Sequence, residues 1–152
     1  MLKVIKSVSE LHQEQLLSVY SGSLQNLEAQ SVFLSYLHED FFQHKGACYC
    51  LWVIDGVYKS ALRLESYRDG LLLHALETEP ASRKMGYGYS LVKSVLKYFF
   101  GTKYKCIYSH VEKRNIPSQK LHKKCSFQTI ADTALLLDGT MTAHYDTLCY
   151  YL

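Results

Sequence analysis

The sequence predicts a mixed α/β domain with antiparallel and parallel strands in one sheet, in the order β-α-α-β-β-β-α-β-α-β-β. Three observations carry this reading. Short apolar runs of strand character alternate with apolar stripes at helical spacing. The turns Asp55-Gly56 and Arg68-Asp69-Gly70 join three strand-like runs too closely for crossovers, so those strands form an antiparallel meander. The run Leu71 to Leu76 then passes through a glycine-containing turn into the stripe Leu91, Val92, Val95, Leu96 and Phe99. A strand, turn and helix in that order bring the next strand back parallel.

Taken along the chain, Leu2 to Val8 reads as the first strand, and Ser9 as the N-cap of a helix carrying Leu11, Leu16, Leu17 and Tyr20. Ser21-Gly22-Ser23 breaks that helix. A second runs from about Asn26 to His44 with Val32, Phe33, Tyr36, Leu37 and Phe41 on one stripe, and Lys45-Gly46 ends it. Ala47 to Ile54, Val57 to Tyr67 and the Leu71 run are the meander strands. A helix over 86–100 closes at Gly101, a C′ glycine. Lys105 to Val111 is the returning strand, and Pro117 opens a short helix over Ser118–Lys124, where its missing N–H is harmless. Phe127 to Leu137 and Ala143 to Leu152 are two strands around Asp138-Gly139. No repeat or linker divides residues 1–152, so one domain is expected.

Composition bounds the function. A chain of 152 residues with 48% hydrophobic residues can bury a core without staples. Its net charge of +3 suits a polyanionic ligand and falls short of the dense basic surface of a dedicated nucleic-acid binder. The five cysteines are odd in number and lack metal-ligand spacing; Cys48 and Cys50 share one strand face, where they pack as small hydrophobes. No metal is expected. Reduced thiols point to the cytoplasm, and no apolar run is long enough to span a bilayer.

The turn Arg83-Lys84-Met85-Gly86-Tyr87-Gly88-Tyr89-Ser90 carries the strongest functional signal. Glycines let backbone approach a ligand closely, the first helical N–H groups are unpaired, and the helix dipole favours an anion there. Arg83 and Lys84 add positive charge, so the site suits a pyrophosphate. It lacks the Lys-Ser/Thr of a P-loop, and Leu91 stands where a dinucleotide fingerprint needs a third small residue. Arg-x-x-Gly-x-Gly instead resembles motif A of the GNAT superfamily of acyl-CoA-dependent N-acetyltransferases. A second block, Val111-Glu112-Lys113-Arg114-Asn115 followed by Leu121-His122 and Ser126-Phe127, is similar to that family's later motif. Two residues depart from it: His122 replaces the usual tyrosine and Ser126 the usual glycine.

The resemblance implies a GNAT-like fold with splayed central parallel strands and acetyl-CoA as co-substrate. Backbone around Leu76 and Thr78 would pair with the pantetheine arm, and amides of Met85, Gly86, Tyr87, Gly88, Tyr89 and Ser90, with Arg83 and Lys84, would hold the pyrophosphate. Asn115 would bond the pantetheine amide system, with Ser118 beside it. His122 would stand at the position of the family's tyrosine acid, with a surface histidine among Lys120, Lys123 and Lys124 as its alternative.

Amine acylation needs a neutral nucleophile, so a base is useful. His74 is the lone imidazole of an apolar strand and, by alternation, on the face of Leu76. It also resembles a strand histidine of arylalkylamine-acetylating members, while remaining compatible with a buried structural role. Glu77 is the rival base, pointing to the other face unless a bulge intervenes. The acceptor, a primary amine of a small molecule or peptide, would lie among Phe33, Tyr36 and Tyr67, with Tyr20 and Trp52 nearby. A homodimer is allowed, and neither membrane nor nucleic acid is expected as partner. Two alternatives stay open: a non-catalytic CoA-binding module on the same fold, and a nucleic-acid binder using Lys113, Arg114, Lys120, Lys123 and Lys124 with Tyr108.

Overall fold

The computed structural model describes all residues 1–152. Seven strands form one mixed sheet in the order β1-β2-β3-β4-β5-β9-β6: β1 (Leu2–Ile5), β2 (Cys48–Ile54), β3 (Val57–Tyr67), β4 (Gly70–Thr78), β5 (Cys106–Glu112), β6 (Gln128–Ala131) and β9 (Tyr145–Tyr151). A separate two-stranded ribbon, β7 (Ala134–Leu135) and β8 (Met141–Thr142), turns at Asp138-Gly139. The helices are α1 (Gln13–Val19), α2 (Leu27–Glu39), α3 (Tyr87–Phe99) and α4 (Ile116–Lys124). The meander β2-β3-β4 is antiparallel and β5 returns parallel to β4, as the turn chemistry requires. Asp55 and Gly56 both carry positive φ, 50° and 78°, the conformation of a tight hairpin.

Several boundaries move for local reasons. The first strand ends at Ile5, and Ser7, not Ser9, caps a short 3-10 turn there by accepting from the Ser9 N–H. The second helix stops at Glu39 because Asp40 leaves helical geometry, and a 3-10 turn over Phe41–Gln43 continues the apolar stripe. Asn26 caps that helix by accepting from the Ala29 N–H at 2.8 Å. The expected strand over 127–137 divides into β6 and β7, and that over 143–152 begins only at Tyr145.

Two cores flank the sheet. On one face α3 buries Leu91, Val92, Val95, Leu96 and Phe99 against Leu62, Leu64, Leu71, Leu73 and Ile107, each fully buried side chain stabilising by about 1.5–3 kcal/mol. Cys48 and Cys50 lie together in this core, and all five cysteines are buried and free. On the other face α1 and α2 pack Leu16, Val19, Tyr20, Leu37 and Phe41 over Tyr49, Leu51 and Ala61.

One irregularity in β4 decides the site. Ala61 pairs with Glu77 but Arg63 pairs with His74, so two steps on β3 oppose three on β4. Ala75 absorbs the extra residue at φ 54° as a bulge. Its carbonyl accepts from the Tyr20 phenol at 2.6 Å, and the Tyr49 phenol donates to Tyr20 at 3.1 Å. The bulge inverts alternation downstream. Leu76 therefore packs with the α3-side core, while His74, against Phe41, and Ala75 face α1 and α2. His74 and Leu76 are thus on opposite faces, contrary to simple alternation, and Glu77 is turned to the His74 side, where it meets Ser23 of the α1–α2 loop. The β4–β5 pairing ends at Leu73↔Ser109, leaving β4 without a strand partner on that edge from His74 onward.

Candidate functional site

Where β4 and β5 part, a cleft of about 720 Å³ opens. Its walls bring together the end of β4 (Leu76, Glu77, Thr78), the turn residues Arg83, Lys84, Gly86, Tyr87, Gly88 and Tyr89, and Asn115, Ser118, Leu121 and Lys124 of α4 and its cap. Two sequence blocks some thirty residues apart thus line one space. Met85 is 62% exposed outside this wall, and the Ser90 amide, expected at the pyrophosphate, is instead spent within the first turn of α3, donating to the Gly86 carbonyl at 3.0 Å.

Gly86 is the N-cap of α3 at φ 82°, with no atom near a Cβ placed there, so backbone handedness is what it provides. Gly88 is different. A Cβ on it would lie 3.5 Å from Thr78 Oγ1 and 3.6 Å from Leu121 Cδ1, on the wall of the cleft. No side chain caps α3, so its first N–H groups remain open toward an anion. Lys84 at φ 64° holds the turn, and the Lys124 ammonium rests 4.5 Å from the centre of the Tyr89 ring. Arg83 Nε donates to the Thr78 carbonyl at 3.4 Å, and its guanidinium crowds Gly22, tying this turn to the α1–α2 loop.

Asn115 has a double duty. Its Oδ1 accepts from the Ser118 N–H at 3.2 Å as the α4 cap, while its amide nitrogen makes no protein hydrogen bond at the cleft. His122 is not on the surface. It is 2% exposed, its Nδ1–H donates to the Ser118 carbonyl at 2.8 Å, and its ring lies edge-on to Phe127. Leu121 faces the cleft in its stead, and burial pushes the His122 imidazole below its ordinary pKa. Ser126, at φ 70°, adopts the left-handed conformation that glycine takes most easily.

On the α1/α2 side, Glu77 accepts from the Ser23 hydroxyl at 2.6 Å, and its second oxygen is buried without a partner. His74 lies below it with a quarter of its side chain exposed, and burial lowers its pKa. Sequence reasoning missed two neighbours. Glu65 of β3 is 4% exposed and lies between His44 and His74, and Arg63 stacks over Tyr36 and Phe41 at 5.2 and 5.4 Å. An alternation that places charged residues at 63 and 65 inside a meander strand was the available signal. Phe33, Tyr36 and Arg63 line an open cavity of about 610 Å³ beside α2. Tyr67 does not join them; it is buried against Tyr108 and His110 and donates to the Leu135 carbonyl at 2.8 Å. Trp52 packs on the α3-side core, and Tyr20 is buried beneath the bulge. Tyr108, bonded to Asp69 at 2.6 Å and 8% exposed, offers no stacking face to a nucleobase.

No group of three or more His, Cys, Asp or Glu side chains is disposed to hold a metal ion, and no helix is long and apolar enough to cross a membrane. Among curated proteins no sequence match is found. Solved structures share the fold. An aminoglycoside acetyltransferase in complex with coenzyme A is 11% identical, with a TM-score of 0.75 over 99% of this chain and 95% of that one. The ribosomal-protein-S18-alanine N-acetyltransferase of Escherichia coli is 13% identical, with a TM-score of 0.66 over 100% and 93% of the two chains. An N-acetyltransferase of Thermoplasma acidophilum in complex with coenzyme A is 11% identical, with a TM-score of 0.66 over 100% and 99%. Residues 7–127 match the sequence model of the acetyltransferase (GNAT) family; spanning both motif blocks and most of the chain, that match shows that the protein belongs to this family.

Proposed function

We propose that residues 1–152 act as one catalytic domain that moves an acetyl group from acetyl-CoA to a primary amine of a small molecule or peptide, by direct attack with donor and acceptor bound together. The single observation that supports this most is the cleft joining the open edge of β4, the uncapped N-terminus of α3 and the Asn115 cap of α4. Its donor set fits a pyrophosphate followed by an amide-bearing arm. Amides from Gly86 to Tyr89, with Lys84 and Lys124 nearby, would take the phosphates; the unpaired β4 edge and the Asn115 amide would take the pantetheine. When bound, acetyl-CoA supplies the acyl group, activated as a thioester.

The rest falls to this chain's own residues. Main-chain N–H groups on the open edge of β4 are rigid donors at the place where negative charge would develop. Glu77, brought to the α1/α2 side by the Ala75 bulge, draws a cationic amine toward the cleft. His74, kept neutral near pH 7 by burial, takes the proton that the amine must lose. The buried His122 holds α4 in place and is assigned no proton. Because Arg63 already covers the Tyr36 face, the aromatic wall beside α2 favours an acceptor with an apolar body over a bare polycation. The five buried, reduced cysteines suit a cytoplasmic setting.

An amine panel with acetyl-CoA, monitored by thiol release, tests the reading. Acceptor-dependent release is expected, with His74→Gln lowering kcat by about two orders of magnitude and Glu77→Gln acting mainly on KM for cationic acceptors. Tight acetyl-CoA binding without release from any amine would favour the CoA-binding module instead.

A further inference from the structure

Beneath α2 runs a chain of ionisable groups that the cleft does not touch. Asp40 Oδ1 lies 2.9 Å from His44 Nε2, His44 Nδ1 lies 2.9 Å from Glu65 Oε1, and Glu65 Oε2 lies 3.0 Å from His74 Nε2. Exposure falls inward along it: the side chains of Asp40, His44 and Glu65 are 59%, 34% and 6% exposed. A carboxylate so deep in a sheet is costly unless its oxygens are paired, and an apolar residue would have served packing alone. Glu65 has both oxygens facing imidazoles, His44 from the end of the α2 segment and His74 from the neighbouring strand β4.

We propose that Glu65 and His44 are positioning residues that set the tautomer and the basicity of His74, leaving its Nδ1 as the proton acceptor toward the amine. The inference rests on the acetyl-transfer reading and names how its base is held. An ionised carboxylate can only accept, so both imidazoles must turn an N–H to Glu65. For His44 that nitrogen is Nδ1, and its Nε2–H serves Asp40; both nitrogens donate, which is the imidazolium form. Asp40 foremost, with Glu65, accordingly raises the His44 pKa. For His74 the nitrogen that faces Glu65 is Nε2, which is buried, so the exposed quarter of the ring leaves Nδ1 as the nitrogen that reaches solvent. The Glu65–His74 contact is bent away from a straight hydrogen bond, so charge as well as direction couples the two.

Burial is the first cause of the lowered His74 pKa, and the balance of charge around it keeps Glu65 from undoing that effect. Glu65 alone beside His74 would trap a proton on it. The His44 cation on the other oxygen offsets that anion, Arg63 on the paired β3 position adds a second positive charge, and Phe41 covers the ring. From β5, His110 follows the last β4–β5 pair on the same face and is itself held toward its neutral form, foremost by burial. His74 thus meets an anion already compensated, in surroundings that favour the neutral ring.

The test is ring nitrogen NMR on uniformly nitrogen-15-labelled full-length protein across pH, with His74→Gln used for assignment. In the wild type the neutral His74 ring is expected as the Nε2–H tautomer. Glu65→Gln should mix the tautomers and move the His74 titration to lower pH; His44→Gln should move it to higher pH. A residue that merely supports the fold would not produce shifts of opposite sign. With the best acceptor of the amine panel, Glu65→Gln should also lower kcat at least about tenfold at unchanged CoA affinity. A wild-type Nδ1–H tautomer, or shifts that vanish or share one sign, would overturn the proposal. If Glu65→Gln fails to fold, the wild-type tautomer and His44→Gln decide it. The expected ring states without acyl transfer to any amine would sink the enzymatic reading and leave the positioning intact.

Discussion

Replacing Gly88 separates folding from donor binding, because the two respond with opposite sign. Its new Cβ would touch Thr78 Oγ1 at 3.5 Å and Leu121 Cδ1 at 3.6 Å, ordinary van der Waals distances, so the folded protein accepts alanine without a clash. Alanine in place of glycine favours a helix interior by about 0.8–1.0 kcal/mol, and by less in the first turn, so Gly88→Ala should melt at or above the wild-type temperature. The same methyl stands on the cleft wall, where it would hold a phosphate away from the first α3 amides. Loss of one hydrogen bond to a charged group is worth about 1.5–3 kcal/mol, roughly ten- to hundredfold in affinity. At CoA a hundredfold above its wild-type Kd, binding stabilises by about 2.7 kcal/mol, which for a domain of this size is a rise of about 5–10 °C. In Gly88→Ala the rise should fall to about half or less. Thermal melts with and without CoA, with calorimetric titration for Kd, read both effects. A Gly88→Ala protein that keeps the full CoA-dependent rise would refute the placement of the phosphates at the start of α3.

Ser126→Gly should stabilise the protein by about 1 kcal/mol, seen as a rise of about 2–4 °C in Tm, because it removes the strain of a serine at φ 70°; an unchanged or lower Tm would show that glycine's added freedom in the unfolded chain outweighs that strain. The buried His122 sets a pH dependence: with its folded pKa depressed, its contribution is complete above the ordinary imidazole value of about 6.5 and is lost as pH falls toward the folded value. His122→Leu should therefore reduce the loss of denaturant resistance between neutral and mildly acidic pH, and a slope equal to wild type would mean the folded protein protonates that ring freely. The raised His44 has the opposite sign, stabilising below its unfolded pKa and losing that contribution as pH rises through the folded one.

The donor side of the site was legible in the sequence because its signals are local. A strand, two glycines and an amphipathic stripe within a few turns determine where α3 begins. Asn115 enters through the resemblance alone, and its role as the α4 cap emerges only from the structure. At Ser126 the departure from the family's glycine is visible in the sequence, whereas the left-handed backbone there emerges only from the structure. His122 was misread for a physical reason. Its neighbours Lys120, Lys123 and Lys124 suggested a solvated face, yet at helical spacing it falls on the inner side of α4, beside Gln119 and against Phe127.

The acceptor side was less legible because one residue changes the parity of a strand. Alternation counted along β4 puts His74 with Leu76 and against Glu77; the Ala75 bulge reverses both relations. Nothing in the tripeptide His74-Ala75-Leu76 requires that bulge, since alanine has no special preference for positive φ. It is held from elsewhere, by the Tyr20 phenol on the freed Ala75 carbonyl and by Tyr49 behind it, contacts that span 55 and 29 residues of sequence. The same holds for Glu65, whose partners come from the end of the α2 segment and from β4. A carboxylate or a histidine acquires chemical meaning here only when packing places a second ionisable group opposite it. The order of elements can therefore be read from neighbouring residues, whereas the group that takes the proton depends on contacts that exist only after the sheet has closed.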